Sequence, residues 1–139
     1  PEHPKVVVAQ LELGIILKEK GQYARAIEQF SELLSQQLLE ANGASEARFY
    51  IGEAYQNRGE YRKAIEAYYK VSYHGAEGFS QWITSADFQR ARCHESLGEY
   101  ATAITVYERI VRREGGQSPQ GEMGREQIDS LRRKLDKSD

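Results

Sequence analysis

The side chains best suited to chemistry in this 139-residue chain are three histidines and one cysteine: His3, His74, His94 and Cys93. A metal site needs His, Cys or carboxylate ligands recurring at short, fixed spacings. None of these histidines has a cysteine or carboxylate at such a spacing. Cys93 and His94 are adjacent, but neighbours on a helix point about 100° apart. They therefore make a poor thiol–imidazole pair. Cys93 is expected to face the core and be inert, and His94 to pack between helices. A single cysteine forms no internal disulfide and suits cytosol and periplasm alike. Gly115-Gly116 lacks the Lys-Ser/Thr that follows the glycines of a phosphate loop. The sequence thus assigns no catalytic residue, no cofactor site and no metal ligand, and no enzyme activity.

Other candidate contacts are aromatic and basic. Of the nine tyrosines, Tyr23, Tyr55, Tyr61, Tyr68, Tyr100 and Tyr107 are explained by packing. Tyr50, Tyr69 and Tyr73 are left as candidates for exposed contacts, since aromatics are enriched at interfaces. Phe79 and Trp82 follow a glycine-rich stretch and are expected to tuck that loop and open the next helix; the rival role is a partner anchor. Arg132-Arg133-Lys134 suits a solvated face near a helix C-terminus.

These residues must be positioned by helices. The chain is 40% hydrophobic and 29% charged with a net charge of −2. That is the balance of one folded domain, and it argues against a broad nucleic-acid footprint. No run approaches the roughly 18 apolar residues of a membrane span. One pattern recurs three times: a small residue, a Gly-Gln/Glu-Tyr turn, then Ala-Ile and an aromatic. The copies are Gly14, Gly21-Gln22-Tyr23, Ala26-Ile27, Phe30; Gly52, Gly59-Glu60-Tyr61, Ala64-Ile65, Tyr68; and Ala91, Gly98-Glu99-Tyr100, Ala103-Ile104, Tyr107. The alanines repeat after 38 and then 39 positions. A fixed period of this size signals stacked helical hairpins.

Apolar spacing places helices at 5–20, 23–41, 45–58, 61–74, about 80–97, 100–114 and 120–136. Each glycine before a tyrosine sits where a helix end needs a left-handed residue. Asn42-Gly43 is taken as a stop signal, and the stretch from His74 to Gly78 and the run Gly115 to Pro119 as breaks. In the last helix Met123, Ile128, Leu131 and Leu135 form one apolar stripe among charges, as a terminal cap requires.

These residues resemble the tetratricopeptide repeat family over positions 7 to 114. The resemblance implies an all-α, right-handed superhelix of three hairpins (7–43, 45–78, 84–116) with a capping helix at 120–136, in one domain. The start at Pro1 without a signal peptide leads to the expectation of a domain excised from a longer protein or a processed product. Small residues mark close helix crossings, and Phe30, Tyr68 and Tyr107 fill space between repeats. The sequence departs from the family in its period, which exceeds the usual length of about 34. It also lacks a closing proline and has Arg90 and His94 where apolar residues are expected. The longer period is similar to bacterial cell-envelope members, which favours periplasm or cell envelope over cytoplasm.

The resemblance further implies a non-catalytic scaffold that binds a protein or peptide in its concave groove. By register that face carries Val8, Leu11, Ile15, Lys18 and Glu19, then Glu46, Phe49, Glu53, Gln56 and Asn57, then Ser85, Phe88, Arg92, Glu95 and Ser96. The contact is expected at Phe49, Glu53, Gln56, Phe88, Arg92 and Glu95. The face lacks the Lys/Arg-Asn cluster with which some members clamp a C-terminal carboxylate. Partners are expected to be proteins, with no nucleic acid and no direct membrane insertion. The alternatives are self-association or stacking within a longer solenoid, and an accessory domain of a larger enzyme.

Overall fold

A computed structural model describes residues 4–74 and 80–138. His3, Phe79 and the glycine-broken link after His74 lie outside them. Seven helices follow in order: α1 (Pro4–Glu19), α2 (Tyr23–Ser35), α3 (Ala41–Asn57), α4 (Tyr61–His74), α5 (Ser80–Ser96), α6 (Tyr100–Glu114) and α7 (Pro119–Ser138). There is no strand among the described residues. Successive helices pack pairwise into the hairpins α1–α2, α3–α4 and α5–α6, and α7 closes on α6. The architecture is an all-α helical-repeat superhelix.

Each hairpin turns on a glycine in the left-handed region. Gly21, Gly59 and Gly98 have φ of 78°, 76° and 76°, values that any Cβ would strain. Above the turn the hairpin closes around one aromatic side chain. A Cβ on Gly14 would stand 2.5 Å from the Phe30 ring, and one on Gly52 2.5 Å from the Tyr68 ring. The glycines are therefore spaces for aromatics. Phe30, Tyr68 and Tyr107 are fully buried. Each also reaches the next repeat or the cap: Phe30 lies 5.8 Å from the Tyr50 ring, Tyr68 clusters with Ala86, and Tyr107 clusters with Ile128 and Leu131.

Two expectations are corrected. Asn42-Gly43 does not stop a helix. Helix α2 ends at Ser35, with Gln37 at φ 55° after it, and Asn42 and Gly43 lie in the first turn of α3. Leu38 accordingly sits in the link, not on α2. Part of the extra length is absorbed at the start of α3, which has 17 residues against 13 in α2. The second correction concerns α7. Ile128 and Leu131 are buried and Leu135 is half-buried against α6, but Met123 is exposed. The stripe runs instead through Gly121 and Gly124, both buried. A Cβ at Gly121 would stand 1.8 Å from the Gly115 carbonyl oxygen, so the turn into α7 needs glycine there. Ser118 caps this helix, accepting the Gly121 N–H at 3.0 Å, with Pro119 at the first helical position.

The odd-numbered helices pack on one another, α1 on α3 and α3 on α5. The even-numbered ones make no comparable contact among the described residues. The superhelix therefore curves with α1, α3 and α5 inside and α2, α4 and α6 splayed outside.

Candidate functional site: the inner face and the network behind it

The inner face has an aromatic floor. Phe49 on α3 lies 5.5 Å from the Tyr68 ring and 5.6 Å from Trp82, and Phe88 on α5 lies 5.9 Å from Tyr107. Both phenylalanines are half-buried. They stand three residues before Gly52 and Ala91, one helical turn away, so each lies beside the aromatic that fills its hairpin. Trp82 opens α5 by packing on Phe49 and Tyr50, and its indole N–H donates to Asn42 Oδ1 at 2.8 Å. It tucks the start of that helix as expected. Tyr50, expected to be exposed, is half-buried in this cluster. Burial, with Glu46 and Glu53 beside it, pushes its phenol up to about 12.

A polar rail runs over this floor, and most of its members pair with one another. Lys18 meets Glu53 at 2.9 Å and lies 4.4 Å over the Tyr50 ring. Gln56 accepts the Tyr68 hydroxyl at 2.6 Å, and Glu95 accepts the Tyr107 hydroxyl. Lys18, Gln56 and Glu95 are register equivalents. Where the hairpin aromatic carries a hydroxyl, the equivalent residue accepts it. Where it is Phe30, that residue is Lys18 and reaches the next repeat instead. Glu53 belongs to Lys18. Arg92 is exposed and has no ion pair among the described residues. Tyr69 and Tyr73 are exposed on α4 and stack at 6.2 Å.

Cys93 is buried, and burial pushes its thiol up to about 11. A thiol held neutral in this way is a weak nucleophile at neutral pH. His94 is buried between helices as expected, but it is not isolated. Its Nδ1 lies 2.9 Å from Glu99 Oε1, and Glu99 also takes Arg62 of the preceding repeat. Those two partners, Arg62 foremost, hold the Glu99 carboxyl below its usual value. Among the described residues no group of three His, Cys, Asp or Glu is placed to hold a metal ion. No helix among them is long and apolar enough to cross a membrane.

One polar network had no counterpart in the sequence reading. Asp87 on α5 is 2% exposed. It takes the Ser72 hydroxyl from α4 at 2.8 Å, Arg113 from α6 at 2.9 Å, and Arg90 one turn along α5 at 3.3 Å. Arg113 also donates to Thr84, whose hydroxyl bonds Glu114. Arg90 is buried, lies over the Tyr69 ring and leaves its Nε without a partner among the described residues. The signal for the network was present: a guanidinium at an apolar repeat position must find a carboxylate nearby, and Asp87 is three residues away.

The architecture and its markers have counterparts among known proteins. Tetratricopeptide repeat models match residues 11–78 and 85–114. A search of curated proteins finds no match. Similar solved structures include nearly identical TPR-like repeats of a putative kinesin light chain from Podosopora anserina, at 18% identity and a TM-score of 0.71, covering 93% of this chain and 66% of that one. A tetratricopeptide repeat protein from Parabacteroides merdae gives 20% identity and a TM-score of 0.71 over 99% of this chain and 50% of that one. MamA gives 21% and 0.62 over 96% and 72%. At these identities the likeness is one of fold, and the chain spans less than two thirds of the length of the first two. With both family models in register with the hairpins, the chain belongs to the tetratricopeptide repeat family, whose repeats serve in general as protein-interaction scaffolds.

Proposed function

We propose that the domain is a non-catalytic scaffold that docks a peptide or helix along its inner face, across Phe49, Glu53, Gln56, Phe88, Arg92 and Glu95. Arg92 carries the proposal. It is an exposed guanidinium without an ion pair among the described residues, in a row whose other members are satisfied within the chain. The half-buried edges of Phe49 and Phe88 flank it on neighbouring repeats and offer apolar contact at low entropic cost. A partner segment with an acidic or amide group set between apolar side chains fits this arrangement.

The test is charge reversal. Arg92→Glu should weaken retention of the native partner while melting like the parent, whereas Arg109→Glu on the outer helix α6 should leave retention unchanged. The reverse pattern would remove the contact from the inner face. Phe49→Ala is a poorer probe, because Phe49 packs on Tyr68 and Trp82 and its truncation disturbs the core.

A second proposal, stacking or self-association, has its own observation. On α1 the side chains Val6, Leu13 and Ile16 are 43%, 45% and 49% exposed. Their register equivalents on α3 are Ala44, Ile51 and Ala54, of which Ala54 is buried and the others are half-covered. Light scattering across concentrations separates the two: growth in mass that Leu13→Lys abolishes supports association through α1, and a constant monomer leaves docking alone.

A further inference from the structure

We propose that the outer groove between α2 and α4 is a separate docking site, which takes a carboxylate side chain of an acidic partner segment onto Arg48. It lies on the opposite side of the superhelix from the inner face and does not rest on that reading.

The groove has a volume of about 400 Å3 and is floored by Arg48 and Ile51 of α3, with Leu34 of α2 on one wall and Lys63 and Lys70 of α4 on the other. The splaying of the outer helices opens it. Three cations line it against one carboxylate, Glu66, which is 72% exposed and among the described residues reaches only Lys70, at 3.9 Å. Lys63 is held by Glu60 at 3.5 Å. Arg48 is different. It is half-buried, and no carboxylate lies within ion-pair distance of it among the described residues. Burial pushes its pKa downward. A guanidinium withdrawn from water without a counter-charge is costly and ready to accept one.

The chain itself shows which group answers a guanidinium at this depth. Position 48 on α3 corresponds in register to position 87 on α5, and position 51 to position 90. In the next outer groove those positions hold Asp87 and Arg90. There Asp87 closes the groove by binding Arg90 and Arg113 across α5 and α6. The α2–α3–α4 groove has the guanidinium, and the carboxylate that lines it, Glu66, reaches Lys70 rather than Arg48. A partner glutamate or aspartate supplies the carboxylate for Arg48, and Leu34 and Ile51 accommodate an aliphatic neighbour of that acid. The occupant is therefore an acidic segment in which carboxylates alternate with aliphatic residues.

Fluorescence anisotropy with a labelled synthetic peptide of alternating glutamate and leucine tests this on the whole chain. The peptide should bind, more weakly as salt rises. Its counterpart with glutamine for glutamate should not bind. Arg48→Gln should lower affinity about tenfold or more, and Lys63→Gln by a few-fold. Lys63 is largely exposed, so that second variant stays informative even if Arg48→Gln were to perturb the fold. Arg133→Gln, at an exposed position of α7, should leave this affinity unchanged. The proposal is overturned if the glutamate peptide fails to bind, if both peptides bind alike, or if Arg48→Gln and Lys63→Gln bind like the parent. It is also overturned if free glutarate competes as tightly as the peptide, which would mark a small-anion site. Loss of binding on Arg92→Glu alone would put the acidic segment on the inner face instead.

Discussion

The two outer grooves of this domain are built on one register and end in opposite electrostatic states. In the groove over α5, Asp87 is sealed between Arg90 and Arg113, with Ser72 and Thr84 completing its surroundings. In the groove over α3, Arg48 stands at the equivalent position with open space above it and no carboxylate within ion-pair distance among the described residues. The hairpin frame beneath them is the same, with a small residue, a buried aromatic and a left-handed glycine turn. A repeat fold thus keeps its packing positions and varies charge at the positions between them. In the α5 groove the variation serves cohesion, because buried Asp87 takes Arg113 of α6 and the Ser72 hydroxyl of α4. In the α3 groove it leaves a surface open to a partner.

The largest expected effect comes from breaking the sealed groove. Asp87→Asn removes the ion-pair partner of the buried Arg90 and leaves Arg113 with Glu114 at 3.8 Å. It should cost about 3–5 kcal/mol in urea unfolding, the range for removing one partner of a buried pair. A loss below 1 kcal/mol would mean that the network is not what closes this groove. The shared frame gives a smaller effect. Gly52→Ala places a methyl group against the Tyr68 ring and should cost about 1–3 kcal/mol through overpacking. The third hairpin already carries Ala91 at this position, so Ala91→Gly should not gain stability. If Gly52→Ala melts like the parent, the middle hairpin is looser than its geometry indicates. The thiol offers a probe of the α5 side. Cys93 should react slowly with a thiol reagent in the native protein, since burial raises its pKa to about 11. Its rate should climb in Asp87→Asn as opening becomes more frequent. Rapid modification of the parent would contradict its burial.

The hairpins, their turns and the cap were legible because each is written three times or marked by local chemistry. The end of α2 was not. No glycine announces it; Gln37 takes the left-handed conformation instead. Asn42-Gly43 lost its turn tendency to the first turn of α3, where the Asn42 side chain is engaged by Trp82. The cap stripe was partly misjudged because glycines at 121 and 124 approach α6 by having no side chain, which apolar periodicity does not count. At the inner face the sequence did not show who holds whom. Gln56 and Glu95 are committed to Tyr68 and Tyr107 because a buried phenol needs an acceptor, and only the change from Phe30 to tyrosine in the later copies hinted at it. The Ser72 and Arg113 partners of Asp87 escaped because they lie 15 and 26 residues from it.

The contrast between the grooves is tested most directly by neutralising Arg48 in the protein without a partner. If its guanidinium has no counter-charge in the fold, urea unfolding of Arg48→Gln should give a stability within about 0.5 kcal/mol of the parent, or above it, while Asp87→Asn measured beside it loses several-fold more. A drop for Arg48→Gln as large as that for Asp87→Asn would show that Arg48 is already paired in solution, and would contradict the open groove.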